Sequence, residues 1–439
     1  MLNPEPLAPF FDLFLIGEAE VMLPSFLANY RRTDERPALL DRVSREVPGA
    51  YVLDHFQPDY QQNGPLRAFT ALGDQSPRIR SPKVADVGTL ATATTVLTTD
   101  TTFPETCLIE VSRGCPHGCR FCSAGYIYRP PRYRHPDFLE TCIRNASRTV
   151  RRVGMVGAAV SDFPAIGELC GRVADTGVRL SFSSLRADAL TDDLLAVLRA
   201  NRTKTATIAP EAGSPRLRNV INKGLGEEDI LAAAAKLVSA GIPNLKLYFL
   251  IGLPTETDAD VEAIVTLCER IKAVFLAASR KMKRIGTITV NATPFVPKPA
   301  TPFQWAGMAP PRVLKARLRI LRKGLQRIAN VRFQNESIRE AYVQALLARG
   351  DRRVAEILSL HHRLGGRWPQ TLKTTPVDTD FFALRERAAD ELLPWDFIDT
   401  GVHRDFLWRE YQRALAASPS KPCPGDRPCE RCGACNQPD

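Results

Sequence analysis

Three cysteines, Cys115, Cys119 and Cys122, are separated by three and then two residues, and this spacing constrains the fold more than any other feature of the sequence. Closely spaced cysteine thiolates bind four-iron, four-sulfur clusters, and such a cluster has four irons to ligate. Three thiolates therefore leave one iron open to an outside ligand. Gly114 and Gly118 permit the tight turns that direct the three sulfurs to one point.

Two other uses of these cysteines are less favoured. Structural zinc usually has four ligands, and no fourth cysteine follows the triplet closely. His117 could complete a zinc set, but it lies in a cramped loop between two of the cysteines. Disulfides are not expected, because the sequence has eleven cysteines and begins with no export signal. The segment is therefore predicted to bind an iron–sulfur cluster.

The triplet, with Phe121 directly before its last cysteine, resembles the signature of the radical S-adenosylmethionine (radical SAM) superfamily. The resemblance implies that the open iron binds the amino and carboxylate groups of S-adenosylmethionine (SAM). One electron, from a reductant such as flavodoxin or ferredoxin, would cleave the sulfonium to methionine and a 5'-deoxyadenosyl radical that abstracts hydrogen from a substrate. The protein would position the cofactor and exclude water.

The composition is that of an ordinary soluble globular protein, with 44% apolar and 24% charged residues. No stretch of apolar residues is long enough to cross a membrane, and a cytoplasmic location is expected for reduced thiols and an oxygen-sensitive cluster. The net charge of +11 suits anionic partners such as RNA. A solvated basic surface with no ligand is the commoner explanation for such a charge.

The middle of the chain alternates apolar runs with amphipathic segments, which predicts a parallel α/β sheet with helical crossovers. Six such units predict a partial (β/α)6 barrel over residues 101–335, in agreement with the partial barrel of the radical SAM family. Ligands would bind at the carboxyl ends of its strands. The predicted strands are 106–111, 153–160, 178–184, 205–209, 244–250 and 285–291.

The flanking regions are predicted to be different in kind. Residues 1–100 resemble the end of a cobalamin-binding Rossmann-like domain followed by an irregular linker. The Asp-x-His-x-x-Gly cobalamin loop is absent, since Asp54-His55 lacks the remaining spacing, and the use of cobalamin is left open. Residues 336–417 have the leucine, alanine and arginine spacing of a helical extension, and residues 418–439 form a cysteine-rich tail.

The residues that would contact SAM follow the predicted strands. Small residues after the second strand let the backbone approach the methionine moiety; the family often has Gly-Gly-Glu there, and Ser161 or Asp162 would replace the missing acid. A tightly packed strand end is the alternative. From the resemblance, the expected set is Phe121, Gly157, Ala158, Ser161, Asp162, Ser183, Arg186, Glu211, Ser214, Leu250, Ile251 and Gly252.

Three of these positions carry distinct expectations. A guanidinium at Arg186 suits a carboxylate, although a surface pair with an aspartate would explain it equally. Glu211 and Ser214 stand in a run, Glu-Ala-Gly-Ser, that is followed by Ile-Asn-Lys-Gly and closely matches the family's fourth-strand pattern. Ser214 could instead be only a helix cap. The apolar end of the fifth strand would stack against adenine. No catalytic residue beyond the cluster is predicted.

Four further cysteines, Cys423, Cys429, Cys432 and Cys435, lie within thirteen residues of the tail. Four sulfurs can hold a zinc ion or a second four-iron cluster, and disulfides or unligated thiols are the alternative. Because a helical region separates them from the strands, this site is expected to be independent of the barrel mouth.

These features predict a radical SAM enzyme of the cobalamin-associated or methylthiotransferase-like branch. Its reaction would be radical modification of an unknown substrate by methyl or methylthio transfer. Two alternatives are an RNA-binding metalloprotein whose barrel has lost catalysis, and a radical oxidoreductase that acts on a small metabolite without cobalamin.

Overall fold

The computed structural model describes residues 2–62, 64–183, 185–283, 285–425 and 429–435. Its N-terminal region comprises β1 (Leu13–Leu15), α1 (Ala19–Asn29), α2 (Arg36–Glu46), β2 (Ala50–Val52), β3 (Phe56–Tyr60), β4 (Leu66–Ala71) and β5 (Ile79–Arg80). Short 3-10 helices occur at Glu5–Phe10, Leu53–His55, Val160–Asp162, Ala174–Thr176, Ala187–Ala189 and Pro302–Trp305.

The central region alternates strands with helices as the sequence predicts. It comprises β6 (Thr106–Glu110), β7 (Ser112–Arg113), α3 (Ala124–Ile127), β8 (Arg132–Tyr133), α4 (Pro136–Ser147), β9 (Arg152–Val156), α5 (Ile166–Arg172), β10 (Arg179–Phe182), α6 (Asp192–Ala200), β11 (Thr205–Glu211), α7 (Pro215–Val220), α8 (Glu227–Ser239), β12 (Asn244–Ile251), α9 (Asp258–Lys281), β13 (Ile288–Pro294), α10 (Pro311–Leu325) and β14 (Val331–Asn335).

The C-terminal region is helical apart from one short strand. It comprises α11 (Ile338–Arg349), α12 (Val354–Arg363), α13 (Trp368–Thr374), α14 (Thr379–Ala383), β15 (Ile398–Asp399) and α15 (Arg404–Leu415). The helices predicted over the start of this region are confirmed by α11 and α12. No helix in the described part of the chain is both long and apolar enough to span a membrane.

The central strands form two parallel sheets. One has the order β10-β9-β6 and the other the order β11-β12-β13-β14. All six predicted strands are present, with ends that differ by a few residues, and β14 is a seventh strand that the sequence did not reveal. The α/β class is confirmed. No hydrogen-bonded pairing between β10 and β11 is recorded among the described residues, and the partial (β/α)6 barrel stays a prediction.

A single apolar core lies between these sheets and the helices that cross over them. Strand residues such as Leu247 and Val290 are completely buried, as are Ile264 and Phe275 on the inward face of α9. The helical spacing of the apolar residues in α9 and the short apolar runs of the strands fit this burial, because sheet and helix each cover an apolar face of the other. The carboxyl ends of the strands are thereby held in fixed positions.

The N-terminal region differs from the Rossmann-like remnant that was expected. β1 pairs with β2 and β3 pairs with β4, in both cases antiparallel, whereas a Rossmann-like domain has a parallel sheet. β5 pairs instead with β15 of the C-terminal region. The residues from 58 to 80 therefore contain strands and are not only an irregular linker. Polar and proline residues within β3 and β4 concealed them.

The two ends of the chain pack together. Phe397, next to β15, lies in one apolar cluster with Phe14, Tyr51 and Phe56 of the N-terminal region. Its ring centroid is 4.8 Å from that of Tyr51. Aromatic contacts of this kind add stability beyond the area that they bury. The N-terminal and C-terminal regions thus form one packed layer against the central sheets.

Replacing Gly213 by alanine should destabilise the protein, because a Cβ atom there would lie 2.2 Å from the backbone nitrogen of Ile264 in α9. Overpacking of this kind typically costs ~1–3 kcal/mol, to be measured by urea unfolding. Gly171→Ala is the matched control: no atom lies within 4 Å of its added Cβ, and the residue is helical. Equal stability of the two variants would show that the strand–helix contact tolerates displacement.

Candidate functional site at the cysteine loop

The cysteine loop follows β6 directly and is turned by its own backbone bonds. The amide of Cys122 donates to the carbonyl of Cys119 at 3.0 Å. Gly114 has φ +86°, and a Cβ atom there would lie 2.7 Å from the carbonyl oxygen of Tyr128. Only glycine combines this backbone conformation with so close an approach. The loop is therefore shaped by the sequence before any cluster binds.

The three thiols of the triplet are the predicted ligands of the four-iron cluster. Cys115, Cys119 and Cys122 lie close enough to influence one another electrostatically. All eleven cysteines fall within the described residues, and none forms a disulfide. Burial raises the pKa of the Cys115 thiol to about 12 and also raises that of Cys119. Cluster binding must therefore displace protons from these thiols.

Three charged side chains, from the segment after β10, the end of β11 and the segment after α7, converge beside Cys119. The ammonium of Lys223 lies 3.2 Å from a carboxylate oxygen of Glu211. The guanidinium of Arg186 donates to the backbone carbonyl of Lys223 at 3.3 Å. Both cations act electrostatically on the Cys119 thiol and favour its thiolate. The site thus has a carboxylate and two cations next to one cluster ligand.

Burial accounts for the electrostatics of this group. It raises the pKa of Glu211, and the charge of Lys223 opposes that rise. Burial lowers the pKa of Lys223, but the charges of Glu211 and of the Cys119 thiolate outweigh it, so the net shift is upward. Glu211 also has φ +65°, a left-handed conformation that is uncommon for a residue with a side chain and that clusters at functional sites.

The sequence analysis named Glu211 and Arg186 but missed Lys223. The signal was present in the Ile-Asn-Lys-Gly run, which was used only as a pattern match. A lysine after a short helix resembles any solvated surface lysine. Its place beside Glu211 depends on α7 folding back toward β11, and only the structure shows this.

The predicted residues after β9 and β10 also lie close together. Several of them form hydrogen bonds with other groups of the protein. The hydroxyl of Ser161 accepts from the amide of Arg186 at 3.0 Å. The carboxylate of Asp162 lies 3.0 Å from Nε2 of His117 in the cysteine loop. The Ser183 hydroxyl donates to the carbonyl of Gly157 at 3.0 Å. These contacts position the loop and the strand ends relative to each other. Ala158, which follows Gly157, is exposed.

The remaining predicted residues divide into two groups. Phe121 and Leu250 are partly buried and pack against the same apolar cluster, so they could form an apolar wall. The Ile251 side chain is completely buried in the main core, and its carbonyl accepts from the amide of Phe295. Gly252 has φ +82° and lies close to Leu314 and to Ala309. Ile251 is therefore not placed to touch adenine with its side chain.

Ser214 serves as a helix cap in this structure. Its hydroxyl accepts from the amide of Leu217 at 3.0 Å and donates to the carboxylate of Asp260. Asp260 is held in turn by the guanidinium of Arg216, and the pKa of Asp260 is lowered to about 2 because these hydrogen bonds outweigh its burial. The capping alternative for Ser214 is the one that the geometry supports.

The tail is docked on the cysteine loop, which corrects the expectation that a helical region keeps it away from the barrel mouth. The amide of Cys423 donates to the carbonyl of Pro116, inside the triplet, at 2.7 Å. The side chain of Asn222 bridges the two segments: it donates to the carbonyl of Gly118 at 3.1 Å and accepts from the amide of Ser420 at 2.8 Å. Distance along the sequence concealed this contact, because α15 brings the tail back to the loop.

Among the thiols of the tail Cys432 is buried and the other three are half-buried, and Arg129 lies beside them. Cys423 acts electrostatically on Cys432 and Cys435, and Arg129 bonds to the sulfur of Cys432. Cys429 is half-buried. Across the described residues, no three His, Cys, Asp or Glu side chains are already arranged around a single metal ion. The ligand set of the tail stays a prediction.

A network of ion pairs ties the N-terminal region to the other side of the loop. The Arg113 guanidinium, two residues before Cys115, contacts the carboxylates of Glu18, Glu20 and Glu110 at 2.8–2.9 Å. Glu18 and Arg113 are largely buried, so screening by solvent is weak. The loop is therefore held from both ends of the chain.

Comparison with known proteins agrees with this geometry. The model of the Radical SAM superfamily matches residues 109–268, and a model of the N-terminal region of radical SAM proteins matches residues 1–52. Uncharacterized protein MJ0966 of Methanocaldococcus jannaschii is 33% identical over 365 residues, which are 82% of this chain and 71% of that protein. The chain belongs to the radical SAM superfamily. It is an enzyme of that class, whose cofactors are a four-iron cluster and SAM.

Relatives with a named activity are more distant. The tRNA-2-methylthio-N(6)-dimethylallyladenosine synthase of Trichlorobacter lovleyi is 26% identical over 193 residues, covering 41% of this chain and 44% of that enzyme. The corresponding enzyme of Deinococcus radiodurans is 23% identical over 272 residues, 58% of this chain and 50% of that enzyme. This radical SAM chain thus spans about half the length of these relatives.

Among solved structures, the radical SAM methyltransferase TsrM of Kitasatospora setae has a TM-score of 0.48 and 12% identity, with 83% of this chain and 79% of that chain covered. Streptococcus suis SuiB bound to S-adenosylmethionine has a TM-score of 0.34 and 15% identity, with 56% and 51% covered.

Replacing Asn222 by glycine should loosen the tail, because the side chain that bridges Gly118 and Ser420 is lost. Glycine keeps the backbone conformation, which has φ +52°. Hydrogen–deuterium exchange at the Ser420 and Cys423 amides should become about fivefold faster, the change for a net ~1 kcal/mol hydrogen bond.

The matched control for this variant is Asn330→Gly. Asn330 also has positive φ, at +59°, and is exposed in a turn before β14. Exchange in the tail should be unchanged there. Unaltered protection in Asn222→Gly would mean that the Cys423–Pro116 contact and the apolar packing hold the tail by themselves.

Proposed function

We propose that this enzyme cleaves SAM reductively at a cluster on Cys115, Cys119 and Cys122 and uses the product to transfer a methyl or methylthio group. The observation that carries the proposal is the convergence of Arg186, Glu211 and Lys223 beside Cys119. When bound, the cluster supplies the electron that breaks the sulfonium bond of SAM.

The side chains around Cys119 have complementary tasks in this proposal. The guanidinium of Arg186, held by Asp188 at 2.9 Å, would orient the carboxylate of SAM, while the backbone amide of Arg186 donates to the Ser161 hydroxyl. Glu211 would accept from its ammonium or from a ribose hydroxyl. Lys223 pairs with Glu211 and opposes the rise in the pKa of Glu211 that burial causes, which favours the carboxylate form. Oriented partners of this kind cost no reorganisation when the cofactor binds.

The apolar wall would exclude water from the reacting atoms. Phe121 and Leu250 pack against the apolar cluster that contains Tyr126, Phe303 and Trp305. Phe303 and Trp305 come from the proline-rich loop after β13, and both are completely buried beneath α15. The loop therefore acts as a fixed part of the wall. A dry site protects a reactive radical from side reactions.

The transfer chemistry and the substrate class rest on the relatives. The tRNA methylthiotransferases, by their names, modify an adenosine derivative in tRNA. They share only part of their length with this chain, so a methylthio transfer and an RNA substrate are proposed here by similarity. The net charge of +11 is compatible with an RNA partner.

A second metal in the tail is part of the proposal. Cys423, Cys429, Cys432 and Cys435 would bind zinc or a second four-iron cluster. Because the tail contacts the cysteine loop, an iron–sulfur cluster there would lie close to the first and could pass on an electron from a flavodoxin or ferredoxin. A zinc ion would instead stabilise the docked tail.

Anaerobic reconstitution separates the two roles at the main site. Cys119→Ala should lose the four-iron spectrum of the main cluster, seen as about four fewer irons per chain than in the wild type, and all formation of 5'-deoxyadenosine, because one iron has no ligand. Arg186→Ala should keep the spectrum and bind SAM at least about tenfold more weakly, since a hydrogen bond to a charged group contributes ~1.5–3 kcal/mol.

The control for these variants is Arg179→Ala, at the exposed start of β10, which should change neither property. Wild-type protein that forms no cluster and no 5'-deoxyadenosine with dithionite would refute the proposed reaction. Normal SAM affinity in Arg186→Ala would show that Arg186 only pairs with Asp188 and does not bind SAM.

Metal analysis tests the tail. The double substitution Cys432→Ser/Cys435→Ser should remove either about one zinc or about four irons per chain and leave the spectrum of the main cluster in place. Cys142→Ser, at a half-buried thiol of α4, is the matched control and should lose no metal. An unchanged metal content in the double variant would show that the tail thiols hold none.

A further inference from the structure

A cavity of about 1030 Å³ lies between the N-terminal region and the tail, apart from the SAM-facing residues. Its wall includes Gly425, Ala434 and Cys435 of the tail. Among the described residues that line it, Glu46 is the only acidic one and six are cationic: Arg45, Arg78, Arg80, Lys83, Arg129 and Arg132.

The cations form an inner and an outer set. The inner ones include Lys83, whose ammonium donates to the carbonyls of Arg129 and Thr400 at 3.0 and 2.7 Å, and Arg132, which is paired with Glu18. Arg45, Arg78 and Arg80 are exposed at the rim. Arg78 and Arg80 flank the buried Ile79, so both lie on the outward face of the same extended segment.

We propose that this cavity binds a ligand through its phosphate groups. Guanidinium groups match the geometry of phosphate oxygens and bind them in pairs of hydrogen bonds. Among the described lining residues the one aromatic side chain is Phe56, which is buried, so no ring is offered for stacking of a base. The wall therefore recognises phosphate and not bases.

A neighbouring cavity is lined by more acidic residues, so an anion is expected to bind in the cavity next to the tail. That second cavity, of about 990 Å³, shares Arg78, Arg80 and Lys83 but is also lined by Glu18, Asp396 and Asp399. These carboxylates would repel an anion, whereas the tail-side cavity has a clear excess of positive charge. The phosphate could be part of a polynucleotide or of a free nucleotide, and the two sources are distinguished by experiment.

The experiment uses the full-length, cluster-loaded protein and measures binding alone. A labelled single-stranded oligoribonucleotide is titrated by fluorescence anisotropy at several salt concentrations, and ADP is titrated by calorimetry. The test variant is Arg78→Ala/Arg80→Ala. The control is Arg312→Ala/Arg319→Ala, which removes the same charge from two exposed positions of α10 outside the cavity.

The test variant should bind the phosphate ligand about tenfold more weakly at ~0.1 M salt. For RNA, the slope of log K against log salt should fall by about 1.4, roughly 0.7 for each lost phosphate contact. The control should match the wild type. Binding of RNA but not ADP assigns a polynucleotide; binding of ADP but not RNA assigns a nucleotide.

Two results would overturn the proposal: no binding of either probe to the wild type, or equal losses in the test and control variants. The cluster spectrum of each variant shows that it is folded. Because binding is measured without turnover, the outcome does not depend on whether SAM is cleaved.

Discussion

The guanidinium of Arg120 is the interaction on which the arrangement of the site depends. It lies inside the cysteine triplet and is completely buried. It pairs with Glu410 of α15 at 3.1 Å, and it donates to the carbonyls of Asn219 and Val220 in α7 and of Ser418 in the tail. A buried charge is costly unless it is paired and fully hydrogen-bonded. Loop, helix, C-terminal region and tail must therefore come together for any of them to be stable in this form.

This requirement explains how the cysteine loop is held in place by the protein's own side chains. Arg120 holds the loop from the C-terminal side, and Arg113 holds it from the N-terminal side through three carboxylates. Between them the backbone is turned by glycine and by its own amide bonds. The sulfurs are thus confined to a small region, which reduces the conformational entropy that metal binding would otherwise have to overcome.

Local features could be predicted from the sequence, and distant contacts could not. The cysteine spacing and the alternation of strands and helices are encoded within short segments, and both predictions were confirmed in the fold class and the family. β14 was missed because its sequence, Val-Arg-Phe-Gln-Asn, is short and half polar. Its extended conformation is stabilised by pairing with β13, which the sequence does not show. The docked tail depends on residues far apart in sequence, and the position of Lys223 depends on how α7 turns back toward Glu211. The spacing of apolar residues within a segment does not predict such contacts.

The position of Glu410 and Ser418 late in the sequence has a consequence for biogenesis. Synthesis proceeds from the N-terminus, and domains fold as they emerge. Arg120 emerges long before its partners, and until α15 and the tail have been made it has neither its carboxylate nor the carbonyl of Ser418. The cysteine loop therefore reaches its final shape only after the last helix is complete. A chain that lacks α15 and the tail would present the cluster thiols without the contacts that Arg120 makes to Glu410 and Ser418.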